Sequence, residues 1–235
     1  MIIFDQVSKK FPDGSIGLEE ITLEIPDKDF VFLIGKSGAG KSTILKLINK
    51  ELNFSSGEIK VNDFNLSKLK RSKVSKLRRD IGMVFQDFKL LNDRTVAENV
   101  AIALQVIGEK DSKIRQQVME TLDMVGIADK AKHFPSQLSG GEVQRTSIAR
   151  AIIAKPSILL ADEPTGDLDP GNSDLIIDLL ENINKELGTT VIVATHDVPI
   201  VDKRQRRVIH LEKGKILSRE DVHEMVYKEV KKILK

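Results

Sequence analysis

Short apolar runs rich in β-branched residues alternate along the chain with segments whose apolar residues recur at helical spacing. The best strand candidates are residues 30–34, 81–85, 157–161 and 190–194. Turn or polar residues follow the last three, as expected of parallel strands that end at a ligand-facing edge. The alternation predicts an α/β fold with a mostly parallel sheet.

Two regions depart from this alternation. The chain up to about Pro26, together with residues 57–62, has the pattern of antiparallel hairpins. Between Asp87 and Lys155 we predict only helices, over 95–106, over 113–125 and from Ser139 onward. We therefore expect an N-terminal antiparallel β-subdomain and an α-helical subdomain, at about 88–155, inserted between two strands of the core.

The C-terminal segment, 218–235, differs from the rest of the chain. Ser218 and Asp221 form a capping-box-like start, after which apolar residues recur at helical spacing opposite a lysine-rich face. The pattern predicts an amphipathic helix. Such a helix either packs on its own domain or lies against a membrane surface or a partner.

Composition narrows the possible functions. The chain has 235 residues and a formal net charge of +2, too close to neutral to favour a nucleic-acid partner. Cysteine is absent, which excludes disulfides and thiolate metal sites. Neither a bilayer-length apolar run nor a signal-peptide pattern is present. We expect a cytoplasmic protein that reaches a membrane only through a partner.

The stretch GKSGAGKST, at 35–43, fits a phosphate-binding P-loop between a strand and a helix. Its glycines allow backbone N–H groups to face a phosphate, Lys41 would neutralise the β/γ oxygens, and the Ser42 hydroxyl would bind Mg²⁺. The predicted nucleotide contacts in this loop are Gly35, Lys36, Ser37, Gly38, Ala39, Gly40, Lys41, Ser42 and Thr43.

Polar residues at three strand ends supply candidate catalytic chemistry. Asp162, after SILLA, is a predicted Mg²⁺ ligand, and the adjacent Glu163 a candidate base for the attacking water. His196 could contact the γ-phosphate or align the water with Glu163. Gln86 could bind Mg²⁺ and touch the water without adding charge.

A second phosphate-binding motif is predicted at LSGGEVQR, residues 138–145, where two glycines open a helix. Two such motifs in one chain raise the question of which phosphate the second one binds. Phe11, in a predicted turn, could stack on adenine or simply form a local hydrophobic contact.

Together these motifs resemble the nucleotide-binding subunit of an ABC ATPase over residues 1–217, with GKSGAGKST as the Walker A loop, LSGGE as the signature and ILLADE as the Walker B strand. The resemblance implies ATP and Mg²⁺ as ligands. It also implies a head-to-tail homodimer in which Ser139, Gly140 and Gly141 grip the ATP bound to the other copy.

Residues 85–104 are similar to the branch of this family that acts in cell division, which implies a polytopic inner-membrane partner and no nucleic acid. Lipoprotein-release and macrolide-export ATPases are the alternative. A nucleic-acid-directed soluble ATPase and a nucleotide-gated scaffold with little turnover are competing functions. Two departures from the family pattern are Phe11, where tyrosine is usual, and Asp167, where asparagine is common.

Overall fold

The computed structural model describes residues 1–218, so the predicted helix over 218–235 lies outside the described residues apart from Ser218. The strands are β1 Ile2–Lys10, β2 Ile16–Ile25, β3 Phe30–Ile34, β4 Ser56–Val61, β5 Phe64–Asn65, β6 Ile81–Val84, β7 Ile158–Asp162, β8 Thr190–Thr195, β9 Arg207–Glu212 and β10 Lys215–Ile216. The α-helices are α1 Lys41–Ile48, α2 Val74–Arg79, α3 Val96–Ile107, α4 Asp111–Met124, α5 Gly140–Ile152, α6 Pro170–Leu187 and α7 Val198–Asp202.

The strands form two sheets. The larger has the order β10-β9-β3-β8-β7-β6, in which β10 alone runs antiparallel to its neighbour. The smaller, β2-β1-β4-β5, is antiparallel throughout. Both the mostly parallel sheet and the N-terminal antiparallel strands predicted from the sequence are confirmed.

The parallel sheet is buried on both faces because its strands alternate between two apolar clusters. Phe30, Phe32 and Ile34 pack with helices α3 to α6 on one side. Val31 and Leu33 pack with α1 and the antiparallel sheet on the other. Such double burial explains why these strands read as continuous apolar runs in the sequence.

Three of the predicted strands have boundaries that are shifted by one residue. Phe85 leaves β6 because the chain turns there, with Phe88 N donating to Phe85 O at 3.1 Å. Ser157 precedes β7, and its amide donates to the Asp80 carboxylate at 3.3 Å. In compensation β7 continues to Asp162, and β8 extends to Thr195.

The three predicted helices between β6 and β7 are present as α3, α4 and α5. Thr95 and Ser139 cap α3 and α5 through capping boxes with Glu98 and Glu142. Both caps make nearly the same bonds, since each serine or threonine amide donates to its glutamate at 2.8 Å. No helix among residues 1–218 is long and apolar enough to cross a bilayer.

Strand β9 was not predicted, because the basic run 203–207 precedes and enters it. It pairs in parallel with β3, in the register Val31 with Arg207. All four basic residues of this run form ion pairs with acidic side chains: Lys203 with Asp174, Arg204 with Asp174, Asp178 and Glu181, Arg206 with Glu181, and Arg207 with Asp29. The basic run is thus largely neutralised within the chain.

Candidate functional site

The P-loop connects β3 to α1 and is packed tightly against two other strands. A Cβ on Gly35 would lie 2.4 Å from Leu211 O of β9, and one on Gly40 would lie 2.8 Å from Leu18 Cδ2 of β2. Gly40 also has φ 111°, a conformation that favours glycine, as it begins the helix. The loop therefore has both the backbone conformation and the steric environment that require glycine.

The other residues of the loop differ in exposure. Lys36 and Ser37 are exposed, Thr43 is half-buried, and Ala39 is buried. The Ala39 amide donates to Lys36 O at 3.0 Å, so this N–H group is used inside the loop. Gly214, in the turn after β9, donates to Ala39 O at 3.0 Å and fixes the loop from outside.

Lys41 lies at the centre of the site and is only 6% exposed. Its Nζ donates to Gly35 O at 2.6 Å and lies 3.2 Å from Glu163 Oε1. A buried ammonium surrounded by oxygens suits the role of a phosphate ligand, because phosphate oxygens can replace these contacts with stronger charge-assisted bonds.

Ser42 and Asp162 form the second contact between the P-loop and β7. The Ser42 hydroxyl donates to Asp162 Oδ1 at 2.9 Å. Burial raises the pKa of Asp162 and the nearby Glu163 charge adds to this, while the Ser42 hydrogen bond acts in the opposite direction. A hydroxyl and a carboxylate held this close are oxygen ligands of the kind that Mg²⁺ prefers.

Glu163 directly follows β7. It has φ 48°, unusual for a residue other than glycine, and its amide donates to Ala194 O of β8 at 2.8 Å. Its Oε2 lies 2.9 Å from His196 Nδ1, and its Oε1 faces Lys41. The two adjacent carboxylates therefore have separate partners, and the strain lies at the residue predicted to act as base.

Exposure differs sharply between the two members of this pair. Glu163 is 12% exposed and His196 is 67% exposed. The histidine thus lies at the rim, where it can meet a ligand, while the carboxylate is held beneath it. Their separation of 2.9 Å is within the hydrogen-bonding reach expected of a base and its orienting group.

Gln86 is exposed and lies two residues beyond β6, which pairs with β7 in the register Val84 with Ala161. It is thus at the same sheet edge as Asp162. Within residues 1–218, its side chain stands outside the hydrogen-bonded group formed by Ser42, Asp162 and their neighbours.

Phe11 is half-buried at the tip of the β1–β2 hairpin. Its ring lies along Gly17, where a Cβ would be 2.6 Å from Phe11 Cε2, and Lys9 Nζ is 5.2 Å from the ring centroid. The carbonyl of Gly17 in turn packs against Gly40. The local contact is therefore real, and the same packing places the hairpin beside the P-loop.

The signature residues form a separate group at the start of α5. The Ser139 hydroxyl donates to Glu142 Oε2 at 2.9 Å, and hydrogen bonds from Ser139 lower the pKa of Glu142. A Cβ on Gly140 would lie 3.3 Å from Leu168 Cδ2, and one on Gly141 would lie 3.1 Å from Asn172 Oδ1. The glycines thus allow α5 to approach the start of α6 closely.

Two residues of this region were missed in the sequence. Asn172 contacts Gly141 and donates to Asp169, the N-cap of α6. Arg150 donates to two backbone carbonyls just after Gln86. The one local sign of Arg150 was a single charge within the apolar stretch IARAII; its partners, about 60 residues away, could not be found from spacing.

The sequence profile of the family described as ABC transporter matches residues 18–166. The chain is 46% identical over 221 residues to the "Cell division ATP-binding protein FtsE" of Streptococcus pneumoniae D39, covering 94% of this chain and 96% of that protein. It is 48% identical over 214 residues to FtsE of Escherichia coli K12, covering 91% and 96%.

Two solved structures of ABC transporter cassettes are similar to this chain. The dimeric bacterial ABC transporter cassette MJ0796 superposes with a TM-score of 0.84 at 36% identity, covering 93% of this chain and 97% of that one. The cbiO1 protein of Clostridium perfringens, part of the ABC transporter complex cbiONQ, gives 0.86 at 29% identity, covering 99% and 96%.

Proposed function

Since the chain belongs to the ABC transporter family and is an ATPase, we propose that it serves a membrane-associated cell-division complex. In this proposal ATP drives head-to-tail homodimerisation, and the closure is transmitted to an FtsX-like polytopic membrane protein. The names of the relatives favour cell division over lipoprotein release or macrolide export. Residues 1–217 would form the nucleotide-binding domain, with the helical subdomain at about 88–155.

The observation that carries the proposal is the contact group between the P-loop and the ends of β7 and β8. The Lys41 ammonium, now held by the oxygens of Gly35 and Glu163, would bind the β/γ-phosphates. The P-loop from Gly35 to Thr43 would enclose these phosphates. Ser42 and Asp162 would hold Mg²⁺, with Gln86 as a further ligand from the same edge. Bound Mg²⁺ supplies charge neutralisation at the phosphate oxygens.

Hydrolysis would depend on Glu163 as general base and His196 as its orienting partner. When phosphate oxygens draw Lys41 away from Oε1, that oxygen becomes available to accept the proton of the attacking water. The His196 ring keeps Oε2 in place at 2.9 Å. The charged carboxylate is thus freed where the γ-phosphate arrives.

The second phosphate-binding motif, at residues 138–145, would act across the dimer interface. Ser139, Gly140 and Gly141 stand at the N-terminus of α5, where helix amides and the dipole favour an anion. In the dimer they would contact the ATP held by the partner's P-loop, while Phe11 would stack on adenine. ATP bound by two surfaces stabilises only the closed state, so its hydrolysis reopens the dimer.

The membrane partner would occupy a groove of about 1140 Å³ between the core and α3, defined by Leu69, Arg71, Arg79, Met83, Val106 and Ile107. The groove lies toward the C-terminal end of α3. Val106 is 73% exposed, and arginines border the apolar floor. An amphipathic helix with acidic flanks fits this surface. The protein would then lie on the cytoplasmic face of the membrane.

Crosslinking tests this proposal, because a chain without cysteine accepts one unique thiol. Val106→Cys in the groove, co-expressed with an FtsX-like permease, is expected to crosslink to it; Leu175→Cys, exposed on α6, is the matched control. Phosphate release by the complex should disappear in Glu163→Gln while ATP binding remains. Equal crosslinking from both cysteines would contradict the docking of the partner in the groove. Wild-type protein without turnover beside its partner would contradict the ATP-driven mechanism and favour a scaffold.

A further inference from the structure

The segment that carries Gln86 has an unusual backbone. In residues 85–91, here called the Gln86 segment, Phe88 and Lys89 have φ 56° and 52°. Two consecutive left-handed residues other than glycine are uncommon and are kept only where surrounding contacts impose them. Something outside the segment must therefore hold this conformation.

The contacts that hold it come from α5. Arg150 donates through Nη2 to Phe88 O and through Nη1 to Lys89 O, both at 2.6 Å. The Ser147 hydroxyl, one turn earlier, donates to Phe88 O at 3.4 Å. A planar guanidinium binds two neighbouring carbonyls through two nitrogens held in a fixed fork, a geometry that the single nitrogen of a lysine does not reproduce.

The electrostatics of Arg150 distinguish this contact from an ordinary ion pair. Burial lowers its pKa, and no carboxylate within residues 1–218 pairs with it. A partly buried charge satisfied by carbonyls alone is costly unless its geometry is maintained. The Gln86 segment therefore depends on Arg150, and Arg150 depends on the Gln86 segment.

Arg150 also faces the proposed docking groove, where it lines the same cavity as Arg79, Met83 and Val106. One side chain thus contacts both the cavity that would receive the partner and the two carbonyls that follow Gln86. The other groove arginines lack this second contact among the described residues.

We propose that Arg150 is a positioning residue that fixes the Gln86 segment and transmits occupancy of the groove to Gln86. This inference rests on the proposed function, because it assigns the groove to a membrane partner. A helix entering the groove would shift the guanidinium, and the two carbonyls would move with it. Gln86, two residues away, would then change its position relative to Asp162.

The test compares Arg150→Lys with Arg115→Lys, which makes the same replacement at an exposed arginine of α4 outside the groove. A nitroxide on Lys89→Cys reports the motion of the segment. Arg150→Lys should add a mobile spectral component, raise the Mg²⁺ half-saturation of hydrolysis at least about threefold, and leave Mg²⁺-free binding of fluorescent ATP within about twofold of wild type. Arg115→Lys should change none of these.

The coupling is measured with the reconstituted permease complex. Arg150→Lys should keep the Val106→Cys crosslink but lose most of the stimulation of phosphate release by the permease. An unchanged nitroxide spectrum, or stimulation equal to wild type, would overturn the proposal. If Arg150→Lys unfolds, Ser147→Ala should give smaller changes in the same direction, and a Ser147→Ala protein without any change would overturn the proposal.

A wild-type chain that neither crosslinks to the permease nor responds to it would refute both the proposed function and the coupling. The nitroxide spectrum would still show whether Arg150 fixes the Gln86 segment.

Discussion

Replacing Gly40 by alanine tests how the P-loop is built. The new methyl group would lie 2.8 Å from Leu18 Cδ2 and 2.9 Å from Gly17 O, on a backbone with φ 111°. Gly38, in the same loop, has φ 78° but no atom within 4 Å of its added carbon. The pair therefore separates backbone strain from steric exclusion within one loop.

The expected cost follows from these contacts. Left-handed backbone costs an alanine about 1–2 kcal/mol, and forced overpacking adds about 1–3 kcal/mol. Reduced entropy of the unfolded chain returns about 0.4–1 kcal/mol. Gly40→Ala should therefore destabilise the protein by about 3 kcal/mol, and Gly38→Ala by no more than about 1 kcal/mol.

Urea unfolding followed by circular dichroism measures both variants. The difference of about 2 kcal/mol corresponds to a midpoint lower by roughly 1 M for Gly40→Ala, at the usual dependence on urea. Equal midpoints would show that β2 yields to the methyl group, and the steric part of the reasoning would be wrong.

Further substitutions test other parts of the molecule. Because burial raises the pKa of Asp162, its negative charge destabilises the folded state above the pKa of the unfolded chain. Asp162→Asn should therefore have a higher Tm than wild type at pH 8, and this difference should disappear near pH 4, where the carboxyl becomes protonated. The same substitution should abolish Mg²⁺-dependent hydrolysis. Ser139→Ala and Thr95→Ala remove equivalent caps and should each cost about 1 kcal/mol in urea unfolding. Only Ser139→Ala should abolish ATP-driven dimerisation. Phe11→Ala should weaken binding of fluorescent ATP, whereas Phe11→Tyr should not.

The strands and the loop were predictable because their causes are local. Residues 30–34 form a buried strand since both faces of the sheet are covered, and GKSGAGKST has the glycine spacing that a phosphate loop needs. Ser139 was recognised as the start of a helix from the two glycines that follow it, and its cap partner, Glu142, is only three residues away. Short-range chemistry is visible in a sequence.

The remaining features depend on contacts between distant segments. The contact of Lys41 with Glu163, and the bonds from Arg150 to Phe88 and Lys89, join residues about 60 or more positions apart. The basic run before β9 concealed that strand, since its charges are neutralised by acids on other elements. No local pattern specifies such pairings.

The central claim, that one ATP is shared by two copies of the chain, is tested most directly by light scattering of Glu163→Gln with and without Mg·ATP. Loss of the proposed base should trap the ATP-bound dimer, because binding persists without hydrolysis. Glu163→Gln should be a monomer that doubles in mass when Mg·ATP is added, and the double variant Glu163→Gln/Ser139→Ala should remain monomeric under the same conditions. A Glu163→Gln protein that binds ATP yet stays monomeric would contradict the shared site.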